Sequence, residues 1–467
     1  MKKIFIYGLL AGTAFLSSCS EDFLVKEPPL YVIEADVFSN PELLAQNVNS
    51  LYAGLKSQYT LGGKAWLASD NMGEDFINVA ENGYELTFCY NAGVTLDRQE
   101  NYELWRYTYL AINRCNVFLQ NIENAKEVAG SNYAKYVAEA KFIRALAYYY
   151  LHQFYTTPYV LNPSAKSVPL RLQAELSLEN NDLARASSQQ VLDQILSDLS
   201  DSSALPDGDG TTATVTHASK AAVEMLKQRV YLVKGDWDNA IAAGEKVKGY
   251  ALAADIASVF QPPYITSENI FSFPFELTNA PGGQYAVGYY YQIGRSDIID
   301  VATGIVSKKG YGEAADARIA KLTVQNAAKD KTFLTKFPSN PYIDWLPIFR
   351  YAETLLNMAE AYANKGDDAK ALELLKQVRS RSLPAADDPL SLDGLKGDAL
   401  KTAIYDERRL EFLGEGQRAM DYLRRGETIV KQKGTSYELT ISPSLGTNGY
   451  IWPIPAYERA QNKAIED

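Results

Sequence analysis

Glu407 and Glu411 sit in the densest charge cluster of the chain, a stretch that also holds Arg408, Arg409, Glu415, Arg418, Asp421, Arg424 and Arg425. Two carboxylates on one helix face could act as general acid and base, one raised in pKa by the other. Arginines interleaved at helical spacing keep both ionised instead, so the cluster reads as a buried ionic brace. The same reading covers Arg350 with Glu353 and Glu360, and Glu139 with Arg144. Metal chemistry is poorly supplied. The chain has 2 His and 3 Cys, and neither His152 nor His217 has a Cys or a second His near it, whereas zinc draws on three or four such ligands. No nucleophile elbow, phosphate loop or dinucleotide fingerprint appears. The chain is therefore read as a binding protein and not an enzyme, with no cofactor. A structural calcium is conceivable, but no residue cluster supports one.

Aromatic residues are the outlier, with 32 Tyr, 17 Phe and 5 Trp making up 12% of the chain. Flat rings with a polar tip suit ligands that have an apolar face and a polar edge. A pyranose is such a ligand, its C–H faces stacking on rings and its hydroxyls meeting Asn, Asp or Arg. Trp66, Asp70, Asn71 and Tyr84 bring that mixture to one stretch, beside Tyr90. Tyr285, Tyr289, Tyr291 and Arg295 bring it to a second, after the Gly282-Gly283 turn. In an extended segment Tyr289 and Tyr291 would share a face with Tyr290 opposite. These eight residues, Trp66 to Arg295, form the expected ligand set; Trp105, Tyr109, Asn113 and Trp237 are assigned to packing. One sugar face on one ring removes roughly 50 Å² of apolar surface, about 1 to 1.5 kcal/mol. Three platforms then reach about 4 kcal/mol before ordering costs, which is millimolar to micromolar binding.

Those residues need a scaffold. The chain has 467 residues, 46% hydrophobic and 22% charged, enough for a large core. Its net charge of -11 sets the field against nucleic acid, so none is expected as a partner. Residues 1–18 carry Lys2 and Lys3 followed by an apolar run too short to span a bilayer, the anatomy of an export signal. The run ends Leu16-Ser17-Ser18-Cys19, similar to a bacterial lipobox in which Cys19 becomes the lipidated first residue. Acyl chains on Cys19 would anchor the protein to the outer membrane, and Ser20, Glu21 and Asp22 resemble a tag for its exterior face.

An extended lead over 19–38 precedes one domain over 39–467. Helical periodicity predicts pairs over about 40–59 with 101–122, 133–156 with 187–201, 217–234 with 237–249 and 347–365 with 367–382. In the last two, Tyr231-x-x-x-Gly235-Asp236-x-x-x-Ala240 repeats as Tyr362-x-x-x-Gly366-Asp367-x-x-x-Ala371, the spacing of a tetratricopeptide hairpin. Residues 60–100 and 251–345 lack helical period and read as loop-rich insertions, with an edge strand at Phe271–Phe275. The stretch 393–467 completes the domain. The fold class is thus all-α dominated, with an irregular, partly β half.

Several motifs together resemble the SusD/RagB family of outer-membrane nutrient-binding lipoproteins. They are Asp22-Phe23-Leu24 after the lipobox, AEAKFIRALAYYYL at 138–151 with Val168-Pro169-Leu170, FRYAETLLNMAEA at 349–361, IYDERRLEFLGEGQRAMDYLRR at 404–425, and Ile451-Trp452-Pro453-Ile454-Pro455 with Glu458. The resemblance implies four tetratricopeptide-like helix pairs cradling a variable half. It also implies a SusC-like TonB-dependent transporter as partner, to which a captured oligosaccharide is delivered. A RagB-like peptide binder and a tetratricopeptide-type interaction scaffold are the competing readings.

Overall fold

The computed structural model describes residues 34–465 apart from 81–85, 178, 180, 434–436 and 447. The export signal, Cys19 and Tyr84 lie outside the described residues.

Helix α1 (Pro41–Leu55) begins where the Asn40 side chain accepts from the backbone N–H groups of Glu42 and Leu43, with Pro41 in the first turn. Its buried face holds Leu44, Val48, Leu51 and Leu55. The first insertion follows, with α2 (Lys64–Met72) and β1 (Phe76–Asn78). Helix α3 (Gln99–Ile122) returns against α1 through Leu104, Ala111, Cys115, Phe118 and Ile122. Helix α4 (Tyr133–Tyr155) forms the centre: from Ala138 onward every residue but Lys141 is buried. A helix buried all round must satisfy its polar groups internally. Arg144 pairs with Asp198 and bonds Asn116 at 2.8 Å, the Tyr148 hydroxyl donates to the Arg171 carbonyl at 2.8 Å, and the His152 ring meets Ser188 Oγ at 2.7 Å. Burial holds His152 neutral, its pKa lowered to about 3. Helix α5 (Ser188–Asp198) opens on a capping box between Ser187 and Gln190 and packs on α4.

The hairpin of α6 (Lys220–Lys234) and α7 (Trp237–Lys246) turns at Gly235, φ 66°, a left-handed position glycine takes without strain. Asp236 then caps α7 by accepting from Asn239 N. The second insertion contains β2 (Asn269–Phe273), α8 (Val287–Tyr291), β3 (Asp297–Ile299), β4 (Thr323–Gln325) and β5 (Thr332–Leu334), and β6 (Leu346–Arg350) follows directly after it. Beyond it, α9 (Tyr351–Lys365) and α10 (Asp368–Ser382) repeat the hairpin with Gly366 at φ 81° and Asp367 capping Lys370 N. Helices α11 (Gly397–Glu411) and α12 (Arg418–Arg425), strands β7 (Ile429–Lys433), β8 (Tyr437–Leu445) and β9 (Gly449–Ile451), and α13 (Ala456–Gln461) complete the chain.

Helix dominates and the sheets are small, in the order β1-β3-β5-β4, β2-β6 and β7-β8-β9. In the first of these an insertion strand pairs with a strand of the other insertion, Phe76 opposite Ile299 and Asn78 opposite Asp297. The two irregular halves of the sequence are thus one body in space.

Three local expectations are corrected. Residues 60–100 contain a helix after all: α2 is buried along its whole length, so it has no polar face to reveal a period. Strand β2 is an edge of the two-stranded β2-β6 sheet, as expected, but runs over 269–273 and is buried throughout. Residues 287–291 form a helical turn, so the alternation expected of Tyr289, Tyr290 and Tyr291 does not arise.

The charge cluster is a buried brace, but Glu407 and Glu411 pair with Arg318, Arg350, Arg379 and Arg381 from other elements and not, as expected, with the arginines interleaved around them. Arg350 bonds Glu268 at 2.8 Å, Glu411 at 2.6 Å and Glu415 at 2.8 Å, all buried. Arg318, from the second insertion, reaches Asp316 at 2.7 Å, Glu411 at 3.1 Å and also Glu407. The network pins that insertion to α11 and to the end of β6.

Candidate ligand-binding surface

Trp66, Asp70, Asn71 and Tyr291, expected to face a ligand, lie in the interior at 2%, 2%, 0% and 1% exposure. Trp66 sits edge-on to Phe337 with centroids 6.1 Å apart. Gly416, at φ 67°, passes so close that a Cβ there would lie 2.8 Å from the Trp66 backbone. Asp70 accepts from the Tyr291 hydroxyl at 2.7 Å and from Gly416 N at 3.0 Å, and burial pushes its carboxyl up to about 7. Asn71 donates to Asp297 at 2.7 Å and accepts from Asn78 at 3.1 Å. The physical reason for the correction is that Asp70 bonds Tyr291 and Asn71 bonds Asp297, across α2, α8 and β3, which fastens the two insertions together, while the Trp66 ring is packed against Phe337 and leaves no face for a sugar.

Tyr285, Tyr289 and Arg295 are placed differently. Tyr285 and Tyr289 are half-buried and Arg295 is exposed. Tyr285 ends the single turn Gly283–Tyr285, and a Cβ on Gly63 would come within 1.9 Å of its carbonyl oxygen, so the loop is seated directly on the start of α2. Gln58 holds the preceding Gly282 N–H at 3.0 Å. Beneath the ring, Lys64 Nζ lies 5.3 Å from the Tyr285 centroid and donates to the Tyr290 hydroxyl at 3.0 Å. Burial, then the neighbouring Tyr59, pushes the Tyr285 phenol up to about 12, so it stays a neutral donor.

Two residues missed by the sequence reading complete the surface. Tyr59 stacks on Tyr107 with centroids 4.3 Å apart and planes at 16°, and Tyr285 meets Tyr59 edge-on at 5.0 Å. Both are half-buried. Beyond Gly283, Tyr289 faces Tyr342 at 6.0 Å, and the Arg295 guanidinium covers it at 4.0 Å. Tyr107 carried a signal, since it falls off the stripe of Leu104, Thr108, Ala111 and Cys115 that α3 buries. Tyr59 had none, lying just beyond the end of α1. The result is a row of rings, drawn from just beyond α1, from α3 and from the second insertion, rimmed by Gln58, Glu103, Arg106 and Arg295. Such a row can stack flat apolar faces and bond polar edges. Among the described residues no group of three or more His, Cys, Asp or Glu side chains is disposed to hold a metal.

Comparison with known proteins places this arrangement. Residues 22–232 match the SusD-like family described as starch-binding associating with outer membrane, and residues 339–466 match the SusD family. SusD-like protein P25 of Formosa agariphila is 24% identical, the match spanning 100% of this chain and 98% of that protein. A SusD superfamily protein from Bacteroides thetaiotaomicron VPI-5482, 22% identical, shares the fold with a TM-score of 0.81 over 91% of this chain and 99% of its own. The crystal structure of a SusD superfamily protein from Bacteroides fragilis superposes with a TM-score of 0.88 at 48% identity, covering 92% of this chain and 100% of that one. Likeness at that identity, across the whole of a solved relative, means that this chain belongs to the SusD superfamily.

Proposed function

We propose that the protein is a surface lipoprotein, anchored in the outer membrane through Cys19, that captures an oligosaccharide and delivers it without chemistry to a SusC-like TonB-dependent transporter. The observation that carries the ligand class is the stacked, half-exposed Tyr59–Tyr107 pair with Tyr285 edge-on beside it. Stacked face to face, the two rings cover each other's inner faces and leave an outer face for the C–H side of a pyranose, and Tyr285, Tyr289 and Arg295 stand where its hydroxyls and a neighbouring unit would fall. The family's description as starch-binding and outer-membrane associated supports the ligand class and the location.

At about 1 to 1.5 kcal/mol per ring, this surface binds weakly. Weak binding suits a protein that must release its ligand onward, and tethering beside a transporter compensates through effective concentration. Calorimetric titration of the full-length chain in detergent against a glycan panel tests the ligand. Tyr107→Ala is expected to weaken binding about five- to tenfold, and an unchanged affinity would overturn the assignment. Affinity purification from outer membranes tests the partner: a large barrel protein is expected, and a soluble protein in its place would favour the interaction scaffold.

A further inference from the structure

We infer that a second carbohydrate subsite lies on the other flank of Arg106, in a cavity between α3, α13 and the loop segments 171–177 and 181–183, and that it takes a neutral sugar unit farther along the same chain. This rests on the glycan reading of the Tyr59–Tyr107 surface. The cavity encloses about 320 Å³, at the small end of ligand sites. Trp105 and Tyr109 form its floor, tilted against each other with centroids 4.8 Å apart. Tyr102 forms a wall with Tyr457 set edge-on at 5.4 Å. Tyr457 is 60% exposed, a large ring turned to solvent where packing gives it nothing more to do.

The polar rim is fixed before any ligand arrives. Arg171 is held by Glu175 and, at 3.2 Å, by Glu458, which also accepts from Trp105 Nε1 at 3.2 Å. The loop itself is clipped down twice. Asn113 and Glu175 exchange bonds of 2.9 and 2.8 Å, and Asn462 and Leu183 exchange two of 2.9 Å. Pre-ordering of this kind lowers the cost of binding. Carboxylate oxygens keep lone pairs for hydroxyl donors, and because the rim arginine already meets two carboxylates, an anionic unit would find no net positive field. Arg106 joins the two faces: its guanidinium carbon is 5.8 Å from the Tyr102 centroid and 5.4 Å from that of Tyr107. A glycan lying on Tyr59 and Tyr107 therefore has a continuous path over Arg106 into the cavity.

The test is length dependence. The full-length chain in detergent is titrated with disaccharides and heptasaccharides of α-glucan, β-glucan, mannan, xylan and galactan, alongside the Tyr102→Ala/Tyr457→Ala and Tyr59→Ala/Tyr107→Ala variants. For the sugar that binds, the heptasaccharide is expected to bind about tenfold or more tighter than the disaccharide. Replacing Tyr102 and Tyr457 should shrink that ratio below about threefold and leave the disaccharide affinity unchanged. Replacing Tyr59 and Tyr107 should weaken both lengths. Tyr457→Ala alone, at its exposed position, keeps the test open if the first double variant loses its fold. A ratio that survives loss of Tyr102 and Tyr457, or the lack of any ratio in the unaltered chain, overturns the second subsite and leaves the first surface intact. If no glycan binds the unaltered chain at all, the glycan reading falls and the subsite with it.

Discussion

Trp66 was expected to stack a sugar and Tyr107 was not, and their surroundings reverse the two. Trp66 is locked between Phe337 and the close-passing Gly416, so Trp66→Ala is expected to cost about 3 to 5 kcal/mol of stability through the cavity it opens. Tyr107→Ala should cost only about 1 kcal/mol, through the lost stacking on Tyr59, and weaken glycan binding. Urea denaturation and titration of the two variants side by side check the contrast; equal effects on stability would contradict it. Asp70 adds a pH dependence. Burial raises its carboxyl from 3.8 to about 7, so the fold favours the protonated form. The stability this gives is complete below pH 3.8 and is lost as pH rises through 7. Asp70→Asn, which can still accept from Tyr291 and Gly416, should flatten the decline between those limits. Urea midpoints measured across that range provide the check.

Among the elements, the insertions are held by charge as much as by packing. Glu411 lies on α11 within reach of Arg350, Arg381 and Arg318. Burial alone would raise its pKa, but the three arginines hold it well below the usual carboxylate range. Removing the carboxylate strands buried guanidinium groups, so Glu411→Ala is expected to destabilise by about 3 to 5 kcal/mol. The shift of the urea midpoint measures this. Glu74, next to β1, behaves alike. Burial pushes it up, yet Arg418 and Arg409 outweigh that and lower it from 4.5 to about 2. Its contribution is present above pH 4.5 and fades as pH falls toward 2, which predicts acid unfolding over that window, read by circular dichroism. Helical spacing in the sequence accounts for local pairs such as Arg424 with Asp421 and Arg409 with Asp406, but not for the partners of Glu407 and Glu411. The partners from the second insertion, Asp316, Arg318 and Lys336, were not legible in the sequence, since they lie far along the chain from α11.

Across the whole molecule, stability among the described residues comes from packing and ion pairs and not from a disulfide. Cys89 and Cys115 are free and buried, and burial pushes the Cys115 thiol up to about 12. The melting temperature is therefore expected to be the same with and without reductant, which differential scanning calorimetry can check. The sequence alone determined the helical character, the hairpin turns at Gly235 and Gly366 and the family, since each follows from local periodicity, turn chemistry or contiguous motifs. It also placed aromatic density in the two insertions. Only the tertiary structure decided which of those rings reach solvent. Asp70, Asn71 and Tyr291 turned inward because their hydrogen bonds are completed by segments distant in sequence, and Trp66 because Phe337 and Gly416 pack against it, whereas Tyr59 and Tyr107, from just beyond α1 and the flank of α3, are brought together at a surface. Exposure belongs to the assembled fold, and no pattern within a single segment encodes it.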